Sequence, residues 1–257
     1  MISLTQGVLG AVSGSLVGFS LGLVGGGGSI LAVPLMVYLV GVSNAHVAIG
    51  TSAIAVAANA AVNLVGHARG GTVKWPCALV LAAAGIAGAF LGSFFGKMID
   101  GQKLLALFAV LMLGVGFMML LGGKGEGNRT VRLNRGNLPA LSGLGFAAGV
   151  LSGFFGIGGG FLIVPALMLA TGMPILYAVS SSLVAVTAFG LTTAGSYAFS
   201  GFVDWSLAGV FIAGGVIGGL LGGSLATRLA TKRGVLNSVF ATVIFAVAIY
   251  MLVMTSR

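Results

Sequence analysis

The stretch GGGGSILAVP, residues 25–34, decides the fold of this chain because it interrupts a hydrophobic, membrane-like sequence with a run of glycines. A related stretch, GIGGGFLIVP, occupies residues 156–165 and lies 131 positions later. Glycine adopts backbone conformations that other residues avoid, and proline interrupts a regular helix. Each half of the chain therefore carries one break at a matching place.

The two halves repeat one another well beyond the glycine runs. The matched pairs are Gly14 and Gly145, Gly18 and Gly149, Gly22 and Gly153, Pro34 and Pro165, Ser52 and Ser182, Trp75 and Trp205, and Gly85 and Gly215. The first four pairs are 131 positions apart and, after a one-residue gap, the last three are 130 apart. Agreement at nearly constant spacing over a whole half indicates an internal duplication. It divides the chain into a first membrane repeat at 1–121, a cytoplasmic linker at 122–137 and a second membrane repeat at 138–257.

The composition excludes a soluble globular domain. The 257 residues are 58% hydrophobic and 6% charged, with a mean hydropathy of +1.17, whereas soluble domains carry about 25% charged residues. Several apolar stretches approach the roughly 20 residues that a membrane-crossing helix needs, and strand-like alternation is missing. The fold class predicted is an all-α polytopic membrane protein in a bacterial inner membrane, with the lipid bilayer as its environment.

Each half divides into about five helical segments. In the first half they cover 4–24, 29–42, 45–65, 75–95 and 104–121, with Ser43 and Asn44 as caps for the third segment. The segment 29–42 would be only about 21 Å long as a helix, which is short for a crossing. Its equivalent in the second half is 160–170. Merging each short segment with a neighbour would reduce the total from ten to eight, so eight to ten segments are expected.

Charge distribution favours inverted rather than parallel repeats. With the basic central linker in the cytoplasm, the inverted arrangement places nine basic residues inside and three outside, whereas the parallel arrangement gives seven against five. The nine are Arg69, Lys74, Lys124, Arg129, Arg132, Arg135, Arg228, Lys232 and Arg233, and the three are Lys97, Lys103 and Arg257. The net charge of +9 is explained by these short links, so nucleic acid is not an expected partner.

Three paired motifs resemble the sulfite exporter TauE/SafE family. They are the glycine-rich runs ending in Pro34 and Pro165, the elements Gly50-Thr51-Ser52 and Ser180-Ser181-Ser182, and the Gly-x-Val-x-Trp motifs ending in Trp75 and Trp205. The resemblance covers residues 8–254. It implies a membrane transporter that moves sulfite, sulfonates or related sulfur-containing anions, without specifying which of them.

The glycine runs are also a physical candidate for an anion site. A glycine run that opens a helix leaves the first backbone N–H groups free at the positive end of the helix dipole. Two such ends facing each other across a pseudo-twofold axis would hold an anion between inverted repeats, where transporter sites commonly lie. The predicted substrate-binding residues are Gly26, Gly27, Gly28, Ser29, Thr51, Ser52, Asn59, Asn63, Gly158, Gly159, Gly160, Ser180, Ser181 and Ser182.

Other interpretations of these residues stay open. The glycines can serve only to let helices approach closely, and Ser or Thr hydroxyls can hydrogen-bond to their own helix. Asn59 and Asn63, one turn apart on one face, are harder to satisfy in that way. His46 and His67 lie near segment ends and are expected at the membrane interface.

Absent features limit the chemistry that the sequence supports. The carboxylates Asp100, Glu126 and Asp204 all fall in links between segments, and the single Cys77 excludes an internal disulfide and a cysteine-based metal cluster. No phosphate loop or intramembrane protease motif occurs. We therefore expect no catalytic residue, no metal, no cofactor and no enzyme activity.

These observations predict a secondary transporter, in the exporting direction, for a small sulfur-containing anion such as sulfite or an organosulfonate. It would work by alternating access between the inverted repeats. A passive small-anion channel is the alternative, and a membrane scaffold without transport is a third reading. A homodimer is left open as the assembly.

Overall fold

The structure is a computed structural model, and it describes residues 3–121, 131–228 and 233–255. The predicted linker at 122–137 lies partly outside the described residues, at 122–130. All regular structure in the described ranges is helical. The helices are α1 Leu4–Val24, α2 Ala32–Pro34, α3 Ala45–Arg69, α4 Trp75–Met98, α5 Gly101–Leu121, α6 Leu138–Phe155, α7 Gly160–Thr171, α8 Ile175–Phe199, α9 Trp205–Arg228 and α10 Arg233–Thr255.

The predicted all-α membrane class is confirmed. Six helices of the described chain, α1, α3, α4, α6, α8 and α9, are long and apolar enough to cross a bilayer. Shorter apolar helical stretches occupy Gly25–Leu39, Gly101–Phe117, Gly160–Thr171 and Ile244–Met254. The order of long and short segments is the same in both halves, and the chain is a multi-pass membrane protein. In bacteria such proteins reside in the inner membrane.

Helix boundaries follow local capping chemistry. Asn44 is the N-cap of α3, as expected, and its side chain accepts hydrogen bonds from the amides of His46 at 2.9 Å and Val47 at 3.3 Å. Pro76 lies in the first turn of α4, where its missing N–H costs nothing. The link between the predicted segments 75–95 and 104–121 is shorter in the structure, because α4 continues to Met98 and α5 begins at Gly101.

Glycine stripes join the two halves. A Cβ added at Gly18 of α1 would lie 2.7 Å from the Cα of Gly215 in α9, and one at Gly149 of α6 would lie 2.7 Å from the Cα of Gly85 in α4. Helix backbones thus touch at both places, which only glycine permits. The first helix of each half packs along the fourth helix of the other half, and the prediction of close approach through the spaced glycines is confirmed.

Helices α3 and α8 pack along one another and carry many of the buried residues of the molecule. They run antiparallel, since Gly50 near the start of α3 lies against Tyr197 near the end of α8. At the opposite ends, Ser180 Oγ lies 2.9 Å from His67 Nδ1. His67 therefore contacts α8 within the bundle, in addition to lying near the end of its own helix.

Residue contacts also give the directions of the other long helices. Two helices are parallel where contacts between them advance in the same direction along both. The pair α1 and α9 is parallel, with contacts Gly14–Phe211 and Gly18–Gly215, and so is the pair α4 and α6, with Gly88–Phe146 and Gly96–Phe154. The same holds for α3 and α9, with Thr51–Asp204 and Asn59–Gly215, and for α4 and α8, with Lys74–Ser181 and Lys97–Ser200. Helices α1, α3 and α9 consequently point one way, and α4, α6 and α8 point the other way. Matching helices of the two halves run in opposite directions.

The helix directions separate the charged links into two groups. Arg69, Lys74, Arg132 and Arg135 lie at the end of the bundle where α3 finishes and where α4 and α6 begin. The links with Lys97, Asp100, Lys103 and Asp204 lie at the other end, where α4 finishes and where α5 and α9 begin. The basic excess of the described links is thus confined to one end of the bundle.

Candidate functional site

The two glycine runs meet at the centre of the bundle. A Cβ added at Gly26 would lie 2.5 Å from the Cα of Gly160, so the two backbones are in direct contact. Beside them, a Cβ at Gly158 would lie 3.1 Å from Val56 Cγ1 and 3.2 Å from Val186 Cγ1. Because Val56 and Val186 each occupy the twelfth position of a 25-residue helix, the contact lies midway along α3 and α8.

The second glycine run is an irregular turn that leads directly into a helix. Gly156, Gly158 and Gly159 have φ values of +70°, +66° and +63°, a region where side chains are strained. This turn ends α6 and starts α7 at Gly160, with Gly159 as an N-cap that has no side chain to accept a hydrogen bond. The predicted opening of a helix by a glycine run is therefore present in this half.

The first glycine run has a different conformation. Gly25–Leu31 forms a 3-10 helix that is buried throughout, followed by the single turn of α2 and a π-helical stretch at Leu35–Leu39. Only Gly25 in this run has a positive φ, at +67°. The expectation of an α-helix that opens directly after the glycines is wrong for this half, because the chain continues in a tighter helix packed on α1.

Two predicted site hydroxyls connect the halves in matching ways. Thr51 Oγ1 of α3 accepts a hydrogen bond from the Asp204 amide at 3.0 Å, just before α9 begins. Ser181 Oγ of α8 accepts one from the Lys74 amide at 2.8 Å, just before α4 begins. Each hydroxyl satisfies a backbone N–H at a helix start in the opposite half, which is a structural role.

Four other predicted hydroxyls donate to backbone carbonyls in their own segment. Ser29 donates to the Gly26 carbonyl at 2.8 Å, and Ser52 donates to the Ile49 carbonyl at 3.0 Å. Ser182 repeats the second bond to Val179 at 2.8 Å, and Ser180 donates to Leu176 at 2.9 Å. Such bonds occupy the hydroxyl proton, so in this conformation these residues have no free donor for an anion.

The asparagine pair differs between its two members. Asn63 donates from its side-chain amide to the Asn59 carbonyl at 2.9 Å. Asn59 is fully buried, and neither its Oδ1 nor its Nδ2 has a hydrogen-bond partner. Asn59 lies against the α9 backbone, where a Cβ at Gly215 would be 2.7 Å from Oδ1. Of the fourteen predicted residues, Asn59 is the one whose buried side chain keeps unpaired polar atoms in the described structure.

Unpaired buried polar atoms identify further residues outside the predicted substrate-binding set. Within the described ranges these atoms are Ser13 Oγ, His46 Nδ1, Ser152 Oγ, Thr193 Oγ1 and Tyr197 Oη, besides the two of Asn59. Ser152 is the member of this set next to a glycine run, since it lies one turn before Gly156. A comparison of the two halves could have found it, because the matching position of the first half is the apolar Leu21.

The arrangement offers hydrogen-bond donors rather than charged or metal-binding groups. No cluster of three or more His, Cys, Asp or Glu residues suited to a metal ion occurs among the described residues. The N-terminus of α7 and the unpaired side chains of Ser152 and Asn59 are polar groups available in the interior of the described bundle. Such groups can hold a small anion by neutral donors, without a buried lysine.

Comparison with known proteins agrees with this architecture. The sequence model of the family described as "Sulfite exporter TauE/SafE" matches residues 10–251. A "Probable membrane transporter protein" of Xylella fastidiosa is 53% identical over 93% of this chain and 92% of its own length. A "Probable membrane transporter protein" of Haemophilus influenzae is 30% identical over 73% of this chain and 72% of its own length.

A more distant relative extends the same description. The "Probable membrane transporter protein YunE" of Bacillus subtilis is 28% identical over 80% of this chain and 82% of its own length. No solved structure matches the chain. The family match spans nearly the whole sequence, including both glycine runs, most of α1 and all of α3, α4, α6, α8 and α9. The chain belongs to the sulfite exporter TauE/SafE family of membrane transporters.

Proposed function

We propose that this chain is a secondary transporter, working as an exporter, for a small sulfur-containing anion such as sulfite or an organosulfonate. The observation that carries the proposal is the contact between the two glycine runs midway along α3 and α8. Transporters built from inverted repeats commonly bind their substrates at such a place, where interrupted helices expose backbone groups. The family description supports a sulfur oxyanion as the substrate class.

Alternating access would arise from rocking of the two halves about the glycine contact. The opposite directions of matching helices support inverted repeats, which can exchange conformations to open the site to each side in turn. The close contact of Gly26 with Gly160 means that the two runs must separate to admit a ligand between them. Neutral donors suit this cycle, because a buried cation would bind the anion too tightly to release it easily.

The same observations support transport without chemical conversion of the substrate. The acidic residues Asp100 and Asp204 lie in links at one end of the bundle, away from the glycine contact. We propose that the polar groups at the centre bind and release the anion and take no part in bond making.

Flux measurements in proteoliposomes test this function. Purified protein is reconstituted, and uptake of radiolabelled sulfite, sulfate and methanesulfonate is followed with and without a pH gradient. Accumulation of sulfite or methanesulfonate above its external concentration, driven by an imposed gradient, is the expected result. Flux that only follows the anion's own electrochemical gradient would indicate a channel instead, and absence of flux for all three anions would contradict transport.

A further inference from the structure

We infer that Ser152 and the first turn of α7 form a one-sided oxyanion subsite at the glycine contact, so that the second half of the chain supplies most of the substrate's hydrogen bonds. The inference rests on the proposed function, because it names the groups that would hold the anion at that site. It concerns a residue outside the paired motifs.

Ser152 lies directly against the start of α7. Its side chain is fully buried, and its Oγ has no hydrogen-bond partner. A Cβ added at Gly159, the N-cap of α7, would lie 2.7 Å from Ser152 Cβ and 3.1 Å from Ser152 Oγ. An unpaired hydroxyl in an apolar interior is energetically unfavourable, and an oxygen acceptor placed beside it removes that cost.

The first turn of α7 supplies further donors next to this hydroxyl. Two amides of this turn, those of Leu162 and Ile163, are already occupied, because they donate to the Gly159 carbonyl at 2.9 and 3.1 Å. The amides of Gly160 and Phe161 precede them in the first turn, where a helix offers no internal acceptor. The dipole of this 12-residue helix adds partial positive charge at the same place.

The surroundings limit the subsite to one side of α7. The backbone of Gly26 packs directly against Gly160, and its carbonyl would repel an anion there. The subsite therefore lies on the side of Ser152 and Gly159. Ser152 packs closely on Gly159 there, and Val56 and Val186 pack on Gly158, so an anion enters when the two halves separate. Gly158 and Gly159 both have positive φ values, so a larger residue would also strain the turn.

The first half has no equivalent group. Position 21, which matches Ser152 at the spacing of 131, is Leu21, and it is fully buried. The valines Val56 and Val186 complete an apolar side next to Gly158. This environment fits an anion that has three oxygens on one face and an apolar or bare opposite face. Sulfonates and sulfite have that shape, whereas sulfate carries a fourth oxygen.

Binding measurements on single variants test the subsite. We expect Ser152→Ala to raise the dissociation constants of sulfite and methanesulfonate by about tenfold or more, because a hydrogen bond to a charged group is lost. The matched control is Ser13→Ala, which removes another fully buried, unpaired hydroxyl from the equivalent helix α1. The dissociation constants of this control should stay within about twofold of the wild-type values.

A second readout separates loss of binding from loss of fold. Methanesulfonate should raise the Tm of the wild type and of Ser13→Ala, and the same concentration should raise the Tm of Ser152→Ala by less. Ser152→Cys keeps the side-chain size and a weak donor, and its dissociation constant should fall between those of wild type and Ser152→Ala. An unchanged dissociation constant in Ser152→Ala would overturn the subsite.

The outcome also distinguishes this inference from the proposed function. If wild-type protein transports sulfite or methanesulfonate and Ser152→Ala does so with the same KM, the subsite is wrong and the transporter proposal stands. If wild-type protein neither binds nor transports any sulfur oxyanion, the proposed function itself fails and the subsite fails with it. A raised KM with little change in maximal rate supports the subsite, since it indicates weakened substrate binding.

Discussion

The two glycine runs occupy equivalent places in the duplicated chain but differ in conformation. The first is a buried 3-10 helix at Gly25–Leu31, and its Ser29 hydroxyl is already bonded to the Gly26 carbonyl. The second is a turn with three positive-φ glycines, followed directly by α7 and faced by the unpaired hydroxyl of Ser152. The two copies therefore share their place in the fold but not their backbone conformation, and the available hydrogen-bond donors are concentrated in the second copy.

In a second matched pair, the polar side chain lies in the first half of the chain. Asn59 packs on Gly215 in the first half, and the matching Phe189 packs on Gly85 in the second half. Both side chains are fully buried, yet only Asn59 carries polar atoms, and these have no partner. Each half thus places a polar group where the other has an apolar side chain. Structural contacts are shared between the copies, and candidate ligands are not.

The largest effect is expected at the contact between the runs. Gly26→Ala and Gly160→Ala would each force the two backbones apart, because the added Cβ has no space. We expect both variants to lose most transport and to be destabilised by about 1–3 kcal/mol, the usual cost of overpacking. Thermal unfolding and proteoliposome uptake measure the two effects.

The control for this pair is Gly195→Ala in α8, where nothing lies within 4 Å of an added Cβ. It should behave like wild type in both assays. Equal losses in Gly26→Ala and Gly160→Ala would support a shared contact, whereas normal activity in either would contradict it.

The glycine stripes should respond equally in the two halves. Gly18→Ala would press on Gly215 and Gly149→Ala on Gly85, with matching geometry. Each should lower stability by about 1–3 kcal/mol through overpacking. Gly7→Ala of α1, which has nothing within 4 Å of its added Cβ, is the matched control for thermal unfolding. Clearly unequal losses would show that the two packing surfaces are not equivalent.

The buried asparagine should separate stability from function. Asn59→Leu replaces two unpaired buried polar atoms with an apolar group of similar size, so we expect stability to rise by about 1–3 kcal/mol. Transport should fall, since a ligand group near the centre is removed. Phe189→Leu introduces the same residue at the matching position, and it should lower stability instead because it reduces the buried apolar volume.

Thermal unfolding of these two variants measures the change in stability, and their uptake rates measure the change in transport. An Asn59→Leu protein that is less stable but fully active would indicate that the amide has a structural partner.

The smallest effects are expected for the hydroxyls that join the halves. Thr51→Val and Ser181→Ala each leave one amide, of Asp204 or Lys74, without its acceptor. We expect losses of about 1 kcal/mol in each and an unchanged KM for the anion. Thermal unfolding and concentration-dependent uptake measure both quantities. A KM raised about tenfold in either variant would indicate that the hydroxyl removed binds the substrate.

Much of the fold could be predicted because glycine spacing and hydropathy act locally. The offset of 131 between Gly14 and Gly145 revealed the duplication, and the start of α3 at Ala45 follows from the capping side chain of Asn44. The close approach of spaced glycines was predictable for the same reason. Their partners were not, since a stripe such as that of Gly18 does not indicate which helix will cover it.

The candidate site was harder to predict, because hydrogen-bond partners depend on how the halves pack together. Thr51 and Ser181 looked like ligands, yet they bind amides that lie 153 and 107 positions away in the chain. Ser152 looked ordinary, and its importance comes from the turn at Gly159 that folds back onto it. The uneven distribution of polar groups between the halves was visible in the sequence only as single mismatches within the repeat.

The most direct test of the account is to locate a heavy analogue of the substrate. Selenite has the shape and charge of sulfite, and its selenium can be positioned by anomalous diffraction from crystals of the wild-type protein. The account predicts one selenium peak beside Gly158 and Gly159, with its oxygens within hydrogen-bond distance of Ser152 Oγ and the first amides of α7. A peak elsewhere in the bundle, with the glycine contact unoccupied while selenite competes for sulfite transport, would contradict it.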